Sequence, residues 1–493
     1  MESGLAITGV IKAYAQKQPR KTALILNNVC VSYAELFDKI SAAATYFSGI
    51  GIGKGSHVLS VAMPNLEYVV CMYALLGLGA VHIPAENRIP AARINEIAHA
   101  VDADLVIAPE DPACGIRWIS AANVCTAGTP NLSWEPVSVS NDCSEIIFTT
   151  GTTGKSKGVM LSSKCLETYL AAINPSFRLS EDSVFLVTTP LNHVGGLHRI
   201  HQCMASGAAV ILLDGIKDLR AFFHAIHTHN VTHTYLPPAS VKMLLTLAKK
   251  QLAALDGKLQ FVYTASAPFP TADIETLMQL LPNTHLHQGY GSSETGSVCN
   301  CCYNAPGETI NCLGKPYPCV EVQLLDAEGN EVTGSNREGF ICVKSDMNML
   351  GYYKEPELTA SVLKDGFVYS RDLMYFDDDG GLHFAGRGDD VINIRGFKVA
   401  PVEVEEVALK HPSVNDCVCI PYDDRMRGRI VKMLVCLNAG FELDREALSA
   451  FLSEKLEAYK VPQIIEPVAE IARTHNGKLN RKQMIAEYSN IQV

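Results

Sequence analysis

Long apolar runs and blocks of positive charge are both missing from this chain of 493 residues. No apolar run approaches the roughly 20 residues that a membrane-spanning helix needs. The net charge is −11 and no long basic run occurs, which argues against nucleic acid as the main partner. The N-terminus has no basic segment ahead of a long apolar core, so we expect no signal peptide and a cytoplasmic protein.

Charged residues are also scarce, at 19%, whereas hydrophobic residues make up 47% of the chain. This composition is typical of a globular protein with a large interior. A chain of this length exceeds one ordinary hydrophobic core, so we expect two or more domains. Sixteen cysteines without a signal peptide predict free thiols in a reducing compartment.

The cysteines do not have the spacing of a zinc site. Cys299 and Cys302 form a CxxC pair, but the next cysteines, Cys312 and Cys319, are seven residues apart. A structural zinc site usually needs a second pair with similar spacing, so we expect buried or loosely exposed thiols. The histidines form one further group across a predicted helix end and strand start, where they share no face: His224, His227, His229 and His233.

Short β-rich runs alternate with helical segments through most of the chain. Strands are predicted at 57–63, 80–83, 184–188, 208–213, 232–236 and 260–264, and helices at 33–50 and 66–78. This alternation predicts largely parallel sheets with helices on both faces. Residues 321–346 instead have the pattern of hairpin-like strands with a Glu-Gly-Asn turn.

A compact α+β unit is predicted near the C-terminus, with helices at 402–410 and 445–457 and strands at 414–421 and 430–437. We therefore predict an α/β protein with a large N-terminal domain of layered α/β sheets and a β-rich subdomain, residues 1–386. A small, mobile α+β C-terminal domain, residues 387–493, follows it.

The stretch TTGTTGKSKG at residues 149–158 carries the clearest chemistry. Glycines allow the backbone to approach a ligand closely, threonine hydroxyls and free N–H groups bind phosphate oxygens, and lysine adds charge. Gly154, Lys155 and Ser156 resemble the end of a Walker A loop, but that pattern needs glycine at position 149, where Thr149 stands. The stretch therefore predicts a phosphate-binding loop of another kind.

Six further polar strings follow this loop in the sequence: PLNHVGGL at 190–197, YTASAP at 263–268, QGYGSSET at 288–295, YSRD at 369–372, GRGDD at 386–390 and RTHNGKLNR at 473–481. In α/β proteins ligands bind beyond the carboxyl ends of the strands, and several of these strings lie there. In this order the strings resemble the adenylate-forming superfamily of acyl- and aryl-CoA synthetases, luciferases and stand-alone adenylation domains. The resemblance extends from about residue 21 to residue 482.

The resemblance implies a set of nucleotide-binding residues: Thr149, Thr150, Gly151, Thr152, Thr153, Gly154, Lys157, Ser266, Ala267, Gln288, Gly289, Tyr290, Gly291, Ser293, Asp372 and Arg387. Within this set, Asp372 would accept hydrogen bonds from the ribose hydroxyls, Arg387 would lie beside the nucleotide, and Tyr290 would stack on adenine. Glu294 and Thr149 would hold Mg²⁺ together with ATP phosphates, since a hard cation prefers oxygen ligands. Thr150 and Ser156 depart from the family's usual serine and proline.

The resemblance also implies the catalytic residues Lys478, His193 and Glu294. Lys478 would neutralise charge when a carboxylate anion approaches the α-phosphate. The acid would contact His193, Val194, Gly195, Gly291, Gly296 and Val298. These residues include no cation for a second carboxylate, so we expect a fatty or aromatic monocarboxylic acid. Asp389 would be the hinge of a domain rotation that brings Arg395 and Gly396 to the channel of coenzyme A.

The function implied is ATP-dependent acid–CoA ligation, with ATP, Mg²⁺ and coenzyme A as cofactors. One alternative is a stand-alone adenylation enzyme that loads the acyl group onto a carrier protein, because both acceptors present the same phosphopantetheine thiol. A luciferase-like oxygenase is disfavoured by Asn393, which stands where luciferases carry a lysine. A non-enzymatic nucleotide-binding module is the remaining alternative. It would catalyse no pyrophosphate exchange.

Overall fold

The computed structural model describes residues 5–150, 156–394, 397–424, 427–474 and 478–491. The helices are α1 (Ile7–Lys17), α2 (Tyr33–Gly49), α3 (Leu66–Leu78), α4 (Ala91–Ala100), α5 (Ala121–Ala127), α6 (Ser163–Ile173), α7 (Val194–Ser206), α8 (Leu219–His229), α9 (Pro238–Leu247), α10 (Lys249–Ala253), α11 (Thr271–Leu280), α12 (Pro356–Val362), α13 (Pro401–Ala408), α14 (Arg445–Ser453) and α15 (Arg481–Tyr488).

The strands of the first three hundred residues are β1 (Thr22–Leu26), β2 (Val29–Ser32), β3 (His57–Val61), β4 (Val81–Ala85), β5 (Leu105–Ile107), β6 (Trp118–Ile119), β7 (Cys143–Thr150), β8 (Ser156–Ser162), β9 (Val184–Val187), β10 (Ala209–Leu212), β11 (His233–Tyr235), β12 (Phe261–Thr264), β13 (His285–Ser292) and β14 (Gly296–Cys302). Those that follow are β15 (Glu321–Leu325), β16 (Gly339–Lys344), β17 (Gly351–Tyr352), β18 (Leu363–Lys364), β19 (Phe367–Phe376), β20 (Leu382–Arg387), β21 (Ile392–Ile394), β22 (Phe397–Val399), β23 (Val414–Asp424), β24 (Gly428–Leu437) and β25 (Ile464–Pro467).

Two large, mainly parallel sheets form the N-terminal part, as the alternating pattern predicts. One has eight strands in the order β14-β13-β12-β11-β9-β10-β1-β2, and the other has seven in the order β17-β8-β7-β4-β3-β5-β6. Strands β1, β10, β9, β11, β12 and β13 pair in parallel, and the antiparallel strands β2 and β14 close the two edges. The phosphate loop joins β7 to β8, which pair antiparallel in the second sheet.

Helix α3 illustrates why the layers form where the sequence predicts them. The Asn65 side chain accepts a hydrogen bond from the Tyr68 N–H at its start, and Gly79 adopts a left-handed conformation, with φ of 73°, at its end. Ten of its thirteen residues are buried, so this helix packs inside the protein on more than one side. In the described part of the chain, no helix combines the length and the apolar character that a membrane crossing requires.

A β-rich unit and a C-terminal α+β unit follow the two large sheets. In the first, β15 pairs antiparallel with β16, which pairs with β19, as the hairpin-like pattern predicts, although residues 326–338 make the connection longer than a tight turn. In the second, β23, β24 and β25 form a three-stranded sheet that packs with α13, α14 and α15. A buried apolar cluster fills each unit.

Candidate active site

The turn between β13 and β14 holds the predicted metal-binding glutamate. The Ser292 N–H donates to Thr295 Oγ1 over 3.1 Å, and the Thr295 N–H donates to Ser292 Oγ over 3.1 Å. These two reciprocal hydrogen bonds stabilise the turn. The Glu294 carbonyl accepts from the Met349 N–H at 2.8 Å. The Tyr352 hydroxyl donates to Glu294 Oε1 at 2.9 Å, which orients the carboxylate.

Tyr352 also joins this glutamate to the phosphate loop. Strand β17 pairs with β8 through Gly351 and Met160, which brings the Tyr352 ring beside Lys157. The Lys157 ammonium lies 5.3 Å from the ring centroid, a cation–π contact. Thr149 pairs with Lys157 across β7 and β8. The predicted phosphate-binding residues Gly151, Thr152, Thr153 and Gly154 lie outside the described residues.

A second group of predicted residues meets on β19, β20 and β13. Asp372 and Arg387 pair directly across the strands, with Arg387 Nε 3.6 Å from Asp372 Oδ1. The Tyr290 hydroxyl donates to Asp372 Oδ2 at 2.7 Å. Burial, and next the Asp372 charge, raise the pKa of Tyr290 well above its ordinary value, so its hydroxyl stays a neutral donor. The carboxylate is thus held from two sides.

Lys478 reaches this region from the C-terminal unit. Its carbonyl accepts from the Thr474 N–H at 2.7 Å. Lys478 is exposed as a residue, but protein atoms crowd its ammonium. The resulting loss of water, and next the charge of Arg387, lower the pKa of Lys478, while Asp372 and Glu294 oppose that shift. Lys478 is therefore within electrostatic range of three predicted nucleotide-site residues that lie far from it in the sequence.

The predicted hinge residue is tied to the β-rich unit. The Asp389 carboxylate forms an ion pair with Arg371 on β19. The Gly388 N–H donates to the Arg371 carbonyl at 2.7 Å, and a Cβ at Gly388 would lie 2.5 Å from Phe340. The predicted coenzyme A channel residues Arg395 and Gly396 lie outside the described residues.

The predicted acyl-contacting residues divide between the start of α7 and the β13–β14 pair. His193 is the N-cap of α7 and Gly195 lies in its first turn, where a Cβ would be 3.0 Å from Tyr235 Cε1. In the loop after β12, Ser266 has a φ of +80° and is followed by Ala267; Ser266 hydrogen-bonds to Tyr235. The Tyr235 ring therefore links the two predicted segments.

The glycines of β13 and β14 permit close backbone approach. A Cβ at Gly289 would lie 2.2 Å from the Tyr263 hydroxyl, and one at Gly291 would lie 2.2 Å from the Gly296 carbonyl oxygen. Gln288 beside them is buried, and its Oε1 has no hydrogen-bond partner among the described residues. Val298 is fully buried in the apolar cluster of the β-rich unit, together with Leu313, and thus packs as a core residue.

All sixteen cysteines are free thiols. Cys299 is buried in an apolar cluster, and Cys302 lies three residues along the same strand, so the CxxC pair does not form a ligand set. A group that the cysteine spacing does not predict joins Cys312, Asp377 and His383, whose ligand atoms lie within 4.8 Å of one another.

Sequence reasoning missed Tyr352, which hydrogen-bonds to Glu294, and Arg199, which is buried beside the predicted acyl-contacting segment. Tyr352 belongs to none of the polar strings found in the sequence, and the pairing of β17 with β8 is what brings it to Glu294. Arg199 lies on α7, four residues after Gly195, and is buried. Helical spacing could have suggested that Arg199 and Gly195 share a face.

Comparisons with known proteins agree with this architecture. The model of the family described as AMP-binding enzyme matches residues 11–353, and that of the AMP-binding enzyme C-terminal domain matches residues 403–478. The 4-coumarate--CoA ligase 5 of Oryza sativa subsp. japonica is 29% identical over 478 residues, which cover 90% of this chain and 87% of that protein.

Two solved structures share the fold at low sequence identity. ATP-bound MatB from Rhodopseudomonas palustris superposes with a TM-score of 0.90 at 22% identity, covering 98% of this chain and 99% of that one. The anthranilate CoA ligase AuaEII in complex with anthranoyl-AMP superposes with a TM-score of 0.88 at 21% identity, covering 99% of this chain and 98% of that one.

Proposed function

The chain belongs to the AMP-binding enzyme family, and from that premise we propose that it is an ATP-dependent acid–CoA ligase acting on an aromatic carboxylic acid. The relatives named above include a 4-coumarate–CoA ligase and an anthranilate CoA ligase, which favours an aromatic over a fatty acid. The same proposal includes a cytoplasmic location, whereas a role in fatty acid metabolism would follow only from activity on fatty acids.

The observation that carries the proposal is the convergence of Lys478 with Arg387, Asp372 and Glu294. These groups act on one another electrostatically, although Lys478 lies nearly 200 residues from Glu294 in the sequence. Two cations and two carboxylates near one another suit a nucleotide with a ribose diol and a polyphosphate, since carboxylates accept from hydroxyls and cations bind phosphate oxygens.

In the first half-reaction, a carboxylate oxygen of the acid bonds to the α-phosphorus of ATP. The bond from that phosphorus to the bridging oxygen breaks, and pyrophosphate leaves with the electron pair. Lys478 neutralises the charge that builds up when the two anions meet, Arg387 binds the α-phosphate side, and Asp372 orients the ribose. Catalysis here is mostly positioning and charge neutralisation.

Thr149 and Lys157, with the loop that follows Thr149, bind the β- and γ-phosphates. Mg²⁺ would be held by Glu294 and Thr149, whose carboxylate and hydroxyl oxygens are the hard donors that this ion prefers. The hydrogen bond from Tyr352 keeps the Glu294 carboxylate aimed, as second ligand shells do in metal sites. The bound ion would supply charge neutralisation for the phosphates.

In the second half-reaction, the coenzyme A thiol attacks the acyl carbon of the acyl-adenylate and AMP leaves. We propose that residues 387–493 form a small domain that rotates on residues 1–386 about Asp389, which withdraws Lys478 and brings Arg395 and Gly396 to the thiol. The rotation would have to break the ion pair of Asp389 with Arg371. Small polar segments between domains are typical hinges.

Release of pyrophosphate from Mg-ATP tests the proposal, measured against fatty acids, benzoates and cinnamates. We expect aromatic acids to give the highest rates, and a thioester to form when coenzyme A is added. Release that yields no coenzyme A thioester but acylates a carrier protein would instead support the carrier-loading alternative. No release and no pyrophosphate exchange with any acid would refute an adenylating enzyme.

A further inference from the structure

Helix α7 carries a buried positive charge, Arg199. The Arg199 side chain lies among four aromatic rings, and its Cζ is 4.9 Å from the centroid of Phe177, 5.4 Å from that of Tyr263, 5.8 Å from that of Tyr235 and 5.9 Å from that of Tyr169. Only 5% of the residue is exposed. These four rings form what we call the aromatic cage of Arg199.

The guanidinium keeps unused donors inside this cage. Its Nη2 donates to the Tyr169 hydroxyl, whereas Nε and Nη1 have no hydrogen-bond partner among the described residues. Burial raises the pKa of Tyr169, so this partner is a neutral hydroxyl rather than an anion. Burying a charge without an opposite charge is strongly unfavourable in free energy, and cation–π contacts offset only part of this.

Among the residues that the structure describes, no carboxylate forms an ion pair with Arg199. Glu145 is the buried acid on β7, and its Oε1 lies 3.5 Å from His82 Nδ1 and 3.5 Å from His201 Nε2. His198, beside Arg199, stays neutral because burial lowers its pKa to about 3. Both side-chain polar atoms of Gln202, one turn further along α7, also have no partner among the described residues.

The unused donors lie next to the predicted acyl site. Gly195 precedes Arg199 by four residues, so the two share one face of α7. The Tyr235 ring lies near both: a Cβ added at Gly195 would be 3.0 Å from Tyr235 Cε1, and the ring centroid is 5.8 Å from Arg199 Cζ. Six residues separate Arg199 from His193, which amounts to about 9 Å along the helix axis.

We propose that Arg199 binds a second acidic group, a carboxylate, at the far end of an aromatic substrate acid. This inference rests on the proposed function. The reacting carboxylate would lie at His193 and Lys478, the ring would pack against Gly195 and Tyr235, and the second carboxylate would accept a hydrogen bond from one of the two unpartnered nitrogens of Arg199, Nε or Nη1, and neutralise its charge. The guanidinium stays charged when buried, so an anion is the partner that it lacks among the described residues. The sequence alone predicts a monocarboxylic acid because the residues that it assigns to the pocket exclude Arg199.

Three acids built on cinnamate separate the effect of charge from that of size: cinnamate, 4-carboxycinnamate and the methyl ester of its ring carboxyl group. The ester keeps the ring substituent but not its negative charge. We expect the wild-type enzyme to release pyrophosphate fastest with 4-carboxycinnamate. Arg199→Met should lower kcat/KM for this acid by about 30-fold or more, since it removes one partner of a buried charge pair. The same variant should lose at least tenfold less kcat/KM with cinnamate than with 4-carboxycinnamate, and Arg220→Met, at an exposed arginine, should change neither value.

The comparison of the three acids in the wild-type enzyme needs no variant, so the test still works if Arg199→Met fails to fold. Arg199→Lys keeps a positive charge but not the guanidinium, so its kcat/KM for 4-carboxycinnamate should lie between those of wild type and Arg199→Met. A wild-type preference for cinnamate or for the ester, or an equal loss for all three acids in Arg199→Met, would overturn the assignment while leaving the ligase proposal standing. Absence of pyrophosphate release with every acid would instead refute the ligase itself.

Discussion

The buried ion pair behind Lys478 allows the sharpest stability prediction. Arg481 begins α15, three residues after Lys478, and its Nη1 and Nη2 donate to Glu405 Oε1 at 2.6 Å and Oε2 at 3.1 Å. Both residues are buried, at 6% and 7% exposure. The Cys419 N–H also donates to Glu405 Oε1, so the pair connects α13, β23 and α15. These contacts anchor the segment that carries the lysine.

Glu405→Gln should leave Arg481 as a buried charge with weaker compensation. Breaking a buried pair by removing one partner costs about 3–5 kcal/mol. Asp390, 3.4 Å from Arg481 Nε, retains part of the compensation, so we expect a loss of about 3 kcal/mol, the low end of that range. The adenylation rate should fall with it, because the Lys478 segment is held by the same unit.

Hydrogen exchange of the intact protein measures this loss locally. Both tryptophans lie in the N-terminal part, at Trp118 and Trp134, so their fluorescence would not report on the C-terminal unit. We expect amides of β23 and β24 to exchange about 100-fold faster in Glu405→Gln, since 1.4 kcal/mol is a factor of ten. Amides of β3 should be unchanged.

The double variant Glu405→Leu with Arg481→Met is the matched control. Replacing a buried pair by apolar residues of similar size is often neutral, so this variant should exchange far more slowly than Glu405→Gln. Equal protection of β23 and β24 in wild type and Glu405→Gln would refute the reasoning, because it would mean that the pair contributes nothing to the fold of this unit.

Three further predictions concern catalysis. Lys478→Ala should slow adenylation by about 100-fold or more, because it removes a charge partner of the transition state, and it should spare thioester formation from supplied acyl-adenylate. Lys482→Ala, at an exposed lysine nearby, is the control and should spare both half-reactions. Equal loss of both half-reactions in Lys478→Ala would contradict the assignment of Lys478 to adenylation alone. Because the pKa of Lys478 is lowered, its charge disappears as the pH rises through that lowered value, so kcat/KM for adenylation should fall at alkaline pH, and Lys478→Arg should abolish this fall. Tyr352→Phe removes the hydrogen bond to Glu294 and should raise the Mg²⁺ concentration needed for half-maximal rate by about tenfold; an unchanged Mg²⁺ requirement would separate Tyr352 from the metal site.

Much of the architecture follows from local patterns. The helix predicted at 66–78 is α3 residue for residue, because an asparagine cap and a left-handed glycine bound an apolar segment. The predicted strands of the parallel sheets agree within one residue at each end, except at 57–63 and 80–83, where one end shifts by two residues. Short strands between polar turns are visible in sequence because the turn chemistry is local.

Contacts between distant segments could not be predicted in this way. Tyr352 lies more than fifty residues from Glu294, and no periodicity connects the two. Cys312, Asp377 and His383 likewise come together through the pairing of strands and not through cysteine spacing. Val298, which the sequence predicts to contact the acid, is buried in an apolar cluster, and residue spacing does not indicate that burial.

By itself, the amino-acid sequence determined most of the order of helices and strands, and it predicted a phosphate loop and a set of polar residues for binding a nucleotide. Those properties depend on residue type and short spacing. Only the tertiary structure decided that Lys478 acts on Arg387, Asp372 and Glu294, and that Arg199 is buried with unused donors beside Gly195. Burial and unpaired charge arise from the meeting of α6, α7, β11 and β12, which no single stretch of sequence contains.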